Sequence, residues 1–239
     1  MPVRFIITVC MFTALLSAQH GISAANIASF ASEHCLLTGT DTDGSTLRIM
    51  MDTAAAVDAR SKTRTWNITS LQHFPGISSD NRLSVRLSDM QPFRATNARF
   101  FKEGGYAETF LLTNESVPND NPKVFFIASP QLVMYVLRAF PFTSSTKEIT
   151  IRMFGSRENG FNFTIRNNGL KRVTLKGFDA CDAYELELGV DIPLFSAFIP
   201  KSYYYFRNDP QRSFVKFRGA LMPGAKESEL ELAEYSIQR

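Results

Sequence analysis

The sequence predicts a mainly β protein, an antiparallel sheet with one apolar face and a single short apolar helix against it. Three observations predict this. Most of the chain alternates apolar and polar residues with a period of two, as in 83–88 and 148–153. The gaps between these runs are short and rich in Gly, Asn and Asp, which favours antiparallel neighbours in a meander. Only residues 129–140 carry a helical pattern, with Leu132, Val133, Val136, Leu137 and Phe140 on one broad face. Ser129 can cap that helix, Pro130 suits its first position, and Pro141 forbids simple continuation.

Taken in order, the chain opens with the features of a secretory signal peptide over residues 1–25. Arg4 supplies the positive start, 5–16 the apolar run, and Ser23-Ala24-Ala25 the small residues for cleavage after Ala25, with Ala24 the next candidate. Residues 26–239 then read as one domain, with no composition break, linker or repeat. Residues 26–37 read as a short helix or a first strand, followed by a turn at 38–45. A strand is expected at 47–52. A second over 63–70 places Trp66 and Ile68 on one face, and 73–81 reads as a loop. Further strands are expected at 83–88, 106–113 and 123–128 before the helix. After it come 148–153 and a hairpin of 161–165 with 173–175. Asn168-Gly169 is a strong turn signal within that hairpin, because both residues tolerate positive φ. Runs at 181–188, 201–206, 213–218 and 229–235 complete the set.

Composition narrows the function. The net charge is +3, and Arg4 is the only charged residue of the first 25, so the remainder carries +2. That balance, without a basic stripe, argues against a nucleic-acid partner. No stretch outside the leader reaches transmembrane length. Catalysis has little support, and no enzyme or cofactor is expected. His34 adjoins Cys35, but neighbours on a strand point to opposite faces, which makes a Cys–His pair hard to build. Asp179 with Asp182, and Glu185 with Glu187, read as surface acids, with too few other ligand types nearby for a metal. Gly155 to Gly160 lies between strands, not before a helix, and reads as a turn. Asn67, Asn114 and Asn162 head glycosylation sequons that matter only in a eukaryotic source.

Export also frames the cysteines. With Cys10 in the leader, Cys35 and Cys181 remain, an even pair in an oxidising compartment. A bridge between them is expected; two buried free thiols are the other reading. It would close a loop of about 146 residues, nominally worth about 5 kcal/mol.

The second half of the chain resembles DUF3108, an exported bacterial family of unknown function. The resemblance rests on 129–142, where the helix ends in Arg138 and a hydrophobic-Pro step. It continues through the 161–175 hairpin and Gly177-Phe178-Asp179-Ala180-Cys181, then the aromatic strand and turn 204–217, and ends at 229–232. It covers about residues 90–237. The resemblance implies a large curved antiparallel sheet, an open half-barrel, with one or two helices in its concave face. This is similar to the fold of the lipoprotein carriers LolA and LolB, which hold acyl chains between sheet and helix. On that footing the expected function is a non-enzymatic periplasmic protein that binds or carries a lipid or acyl chain. Leu132, Met134, Val136 and Phe140 are its candidate cavity lining. The alternative is a cell-envelope interaction module with a filled core and an envelope protein as partner, acting through a sheet edge or the aromatic strand near Tyr204.

Overall fold

The computed structural model describes residues 22–41, 43–59, 62–88, 90–101, 106–113, 124–126, 133–143, 145–154, 161–190, 199–220 and 227–239. A 3-10 turn at Ala24–Asn26, capped by the Ser23 hydroxyl, precedes the first strand. The strands are β1 (Ser32–Thr40), β2 (Thr46–Val57), β3 (Arg64–Phe74), β4 (Ile77–Arg86), β5 (Gln91–Phe101), β6 (Tyr106–Thr113) and β7 (Val124–Phe126). Helix α1 (Val133–Arg138) follows. Then come β8 (Glu148–Phe154), β9 (Phe161–Leu175), β10 (Phe178–Val190), β11 (Ser202–Arg207), β12 (Phe214–Ala220) and β13 (Glu227–Gln238).

All thirteen strands form one sheet in the order β6-β5-β4-β3-β2-β1-β13-β12-β11-β10-β9-β8-β7. It consists of two meanders zipped together where the first strand pairs antiparallel with the last, Ser32 opposite Gln238 and Thr40 opposite Glu229. Gly39 is required at this seam, because a Cβ there would run into the Glu229 carbonyl. Among the described residues the one parallel pair is β7 with β8. A parallel connection needs a crossover, and α1 lies in it.

The sheet is curved, and α1 sits in its concavity. Tyr135 of α1 accepts a hydrogen bond from Thr53 of β2 (2.8 Å). Phe142, just past the helix, packs its ring on Tyr184 of β10 and Phe206 of β11 (centroids 4.8 and 5.8 Å). In sheet order β2 and β10 lie five places apart, roughly 24 Å along a flat sheet. One short segment touches both only if the sheet wraps around it. Strands β5 and β7 also have Cα atoms within 8 Å, so the two ends of the sheet approach each other.

The helix differs from its expected form. It has six residues, all of them buried, so it is enclosed on every side instead of lying on one face. A helix this short has no stability alone; its hydrogen bonds survive because the surrounding sheet excludes water. The expected cap, Ser129-Pro130, lies outside the described residues.

The disulfide expectation is overturned: Cys35 and Cys181 are both free. Cys35 lies on β1 and Cys181 on β10, four places apart in the sheet. That is roughly 19 Å along the sheet, against the 4.4–6.8 Å between Cα atoms that a disulfide tolerates.

Asn168-Gly169 is also not a turn. Strand β9 runs straight through it, and the chain reverses at Lys176-Gly177, where Gly177 has φ +83. Gly169 does take positive φ (+85). It serves a β-bulge at the register shift opposite Tyr184 to Leu186. The Asn167 side chain accepts from Gly169 N–H (2.9 Å), and Asn168 donates to Glu185 (2.9 Å). The hairpin tip then reaches β13, where Lys176 N–H donates to Glu231.

Two more segments correct the sequence reading. The expected loop at 73–81 is the two-residue turn Pro75-Gly76 followed by strand β4, with Phe74 paired to Ile77. Strand β5 had no counterpart in the expectations. Its inward position Asn97 is polar and donates to buried Asn81 of β4 (2.5 Å), so the sequence shows no apolar alternation there. Of residues 26–37, Asn26 ends the 3-10 turn, 27–31 lead in, and 32–37 form the first part of strand β1.

Candidate functional site

The chain ahead of β1 forms a strap across one mouth of the curved sheet. Ala28 N–H donates to the Pro210 carbonyl (2.7 Å) and Ala31 N–H to that of Gln238 (2.8 Å), which fixes the strap's far end. Near its start, the Asn26 side chain donates to the Ala139 carbonyl just after α1 (2.7 Å). Between these anchors Ile27 and Phe30 turn inward and are buried. Phe30 stacks on Trp66 of β3, with centroids 5.0 Å apart and planes at 25°.

Beside this stack lies a cavity of about 470 Å³, lined by Ala24, Ala25, Ile27, Ser29, Phe30, Thr63, Arg64, Trp66, Leu87 and Ser88. Its volume falls in the range of small-molecule sites, roughly 300–1,000 Å³. Of the described lining residues six are apolar, three carry hydroxyls, and Arg64 alone is charged. Period-two alternation explains Arg64: it shares a strand face with Trp66 and Ile68, and as the first residue of β3 it stands at the rim.

Under the stack runs a buried polar chain. The Arg138 guanidinium lies 5.0 Å from the Phe30 ring centre and 5.9 Å from that of Trp66. It donates two hydrogen bonds to the Glu33 carboxylate (2.5 and 2.8 Å) and one from Nε to the Gln211 carbonyl (2.6 Å). Tyr235 donates to the same carboxylate (2.9 Å) and meets the Ser213 hydroxyl (2.7 Å), which in turn donates to Asp209 (2.8 Å). Helix α1 is thereby tied to β1, to β13 and to the turn between β11 and β12. Burial works to lower the Arg138 pKa, but the Glu33 charge and hydrogen bonds outweigh it and hold the guanidinium above its ordinary value. Burial, with the Glu33 charge second, pushes the Cys35 thiol and the Tyr135 and Tyr235 phenols up. A reactive cysteine needs the opposite environment, so Cys35 is an inert core thiol.

Of the expected cavity lining, Met134, Val136 and Phe140 are buried, and Leu132 lies outside the described residues. Next to Met134 the void between helix and sheet is about 10 Å³, bounded by Glu33, Cys35, Met51, Tyr135, Arg138, Phe214 and Tyr235. That is room for about one water and not for an acyl chain.

The remaining residues singled out in the sequence are engaged elsewhere. His34 meets Asp52 across β1 and β2 (2.7 Å), while Cys35 points inward. Asp182 pairs with Arg172 (3.2 Å). Glu185 accepts from Tyr205 (2.7 Å), and Glu187 pairs with Lys201 (2.7 Å). Burial alone would raise the Glu187 pKa, but the Lys201 bond and charge prevail and lower it. Among the described residues no three His, Cys, Asp or Glu side chains are grouped to hold a metal ion. Among them, too, no helix is long and apolar enough to cross a membrane.

Sequence reasoning missed the strap cavity and the Arg138–Glu33 pair. The pair left a signal: in 33–37, Glu33 shares a strand face with Cys35 and Leu37, the face of a core. The cavity left none, because its wall joins segments far apart in the chain.

The fold and site define a class: a mainly β protein whose one curved sheet encloses a short helix, with a strapped cavity at one mouth. No protein-family model and no curated protein matches the sequence. Among solved structures it is similar to a β-barrel-like protein of the domain of unknown function DUF1849 from Brucella abortus. The TM-score is 0.47 and the identity 11%, over 88% of this chain and 99% of that one.

Proposed function

We propose that this protein is an exported, non-enzymatic binding protein of the bacterial periplasm that takes the apolar chain of a lipid in the strap cavity. The observation that carries this reading is the contrast between two spaces. The void beside Met134 and Tyr135 is about 10 Å³, whereas the cavity under Phe30 and Trp66 holds about 470 Å³. We therefore place the chain in the strap cavity, the roomier of these two spaces. The signal peptide reading and the resemblance to exported bacterial proteins support the compartment. Cleavage after Ala25 would take Ala24 and Ala25 from the wall and place the Asn26 α-amino group beside it, leaving Ile27, Phe30, Trp66 and Leu87 as the apolar surface. Burying a chain against it gains about 0.8 kcal/mol per methylene.

The test is native mass spectrometry of protein exported in a bacterium and purified without detergent. The expected result is added mass that resolves on denaturation into a lipid or fatty acid. A bare mass that also fails to shift with added fatty acid overturns lipid binding. It would favour the filled-core envelope module, whose support is the packed helix.

A further inference from the structure

The strap cavity has one charged side chain in its wall among the described residues, Arg64. Arg64 is exposed at the rim, and no carboxylate pairs with it among the described residues. Arg138, under the stack, is paired with Glu33. Among the described residues no acid lines the cavity, and Ser29, Thr63 and Ser88 place hydroxyls on the same wall as Arg64.

We propose that the cavity takes a single-chain anionic amphiphile, its carboxylate or phosphate on Arg64 and its chain along Phe30 and Trp66. This rests on the binding reading above and adds the chemistry of the ligand's head. A guanidinium presents a planar fork of donors that matches both anions, and hydroxyls can donate to the remaining oxygens. The volume, toward the small end of ligand sites, suits one chain better than two. A neutral or cationic head would leave Arg64 unpaired or repelled at the point where the chain enters.

Trp66 is the only tryptophan of the chain and stands in the cavity wall, so its emission reports occupancy. The exported protein is titrated with dodecanoate, dodecyl phosphate, dodecanol and dodecyltrimethylammonium below their micelle-forming concentrations. The same series is run on Arg64→Gln and Arg64→Lys, with circular dichroism to verify folding. The two anions are expected to bind at least about tenfold more tightly than the alcohol, as for one charge-assisted contact. Arg64→Gln removes most of the anions' advantage without changing the alcohol's affinity, what remains being due to the Asn26 α-amino group, and Arg64→Lys restores part of the difference. Preference for the phosphate over the carboxylate, or the reverse, identifies the head group. Equal affinity for anion and alcohol, or a preference untouched by Arg64→Gln, overturns the anionic assignment while leaving apolar binding intact. No emission change with any of the four probes overturns the binding reading itself.

Discussion

Arg138 and Glu33 are two charges removed from water, and the energy of that removal decides what their substitution does. Each is almost fully buried, with side-chain exposures of 3% and 5%. Their mutual attraction offsets the desolvation cost only while both are present. Glu33→Leu strands a buried guanidinium, and Arg138→Met strands a carboxylate that Tyr235 alone still serves. Each single change is expected to cost about 3–5 kcal/mol, whereas the double change costs less than either. Urea unfolding followed by Trp66 emission measures all four corners of the cycle. A double variant that loses the sum of the singles would mean that the two side chains act independently. Half of this pair was readable from the sequence, since Glu33 falls on the apolar face of β1. Its partner was not. Arg138 ends a helix, where a cation is ordinarily a solvated complement to the helix dipole, and only the enclosing sheet turns it inward.

At the scale of elements, two glycines do different work, and their alanine variants separate it. Gly169 sits in the β9 bulge at φ +85, with open space where a Cβ would go. Gly169→Ala therefore meets backbone strain alone, about 1–2 kcal/mol. Gly39 has no such φ but faces the Glu229 carbonyl across the β1–β13 seam. Gly39→Ala must push these strands apart, and it is expected to lower the denaturation midpoint well beyond Gly169→Ala. Equal losses would remove the assignment of Gly39 as a seam residue. The sequence marked Asn168-Gly169 as a place of positive φ, and that much was sound. A bulge and a hairpin turn ask for the same local conformation. What separates them is the pairing of β10 with both halves of β9, a long-range fact that no window of sequence contains. The same holds for β5, whose polar inward residue Asn97 hides it from any search for alternating apolar residues. Runs with clean alternation, such as Leu83 with Val85, were legible because one side faces an apolar core and the other water.

The whole molecule encloses several weak acids that ionise only at alkaline pH, and this sets where its stability ends. Burial pushes the Tyr135, Tyr204 and Cys35 groups well above their ordinary values, 10.0 for the phenols and 9.0 for the thiol. Below pH 9 these groups are protonated in both folded and unfolded chains, so they give stability no slope. Above it the unfolded chain releases protons that the folded chain retains. The unfolded state then binds fewer protons, and stability falls with rising pH. Each fully buried group removes about 1.4 kcal/mol per pH unit beyond its unfolded pKa, so the three together remove about 5 kcal/mol by pH 11. Tyr205 and Tyr235, raised in the same direction but less enclosed, add to the slope. Urea midpoints measured from pH 7 to 11 are expected to be level up to about pH 9, to decline gently as the thiol begins to titrate, and to steepen near pH 10. Cys35→Ala removes the first segment and delays the onset to about pH 10, while leaving the tyrosine slope in place. A midpoint that stays level to pH 11 would mean that the enclosed core opens to water before these groups ionise, and the sheet would then not be the sealed wrapper around α1 that its packing describes.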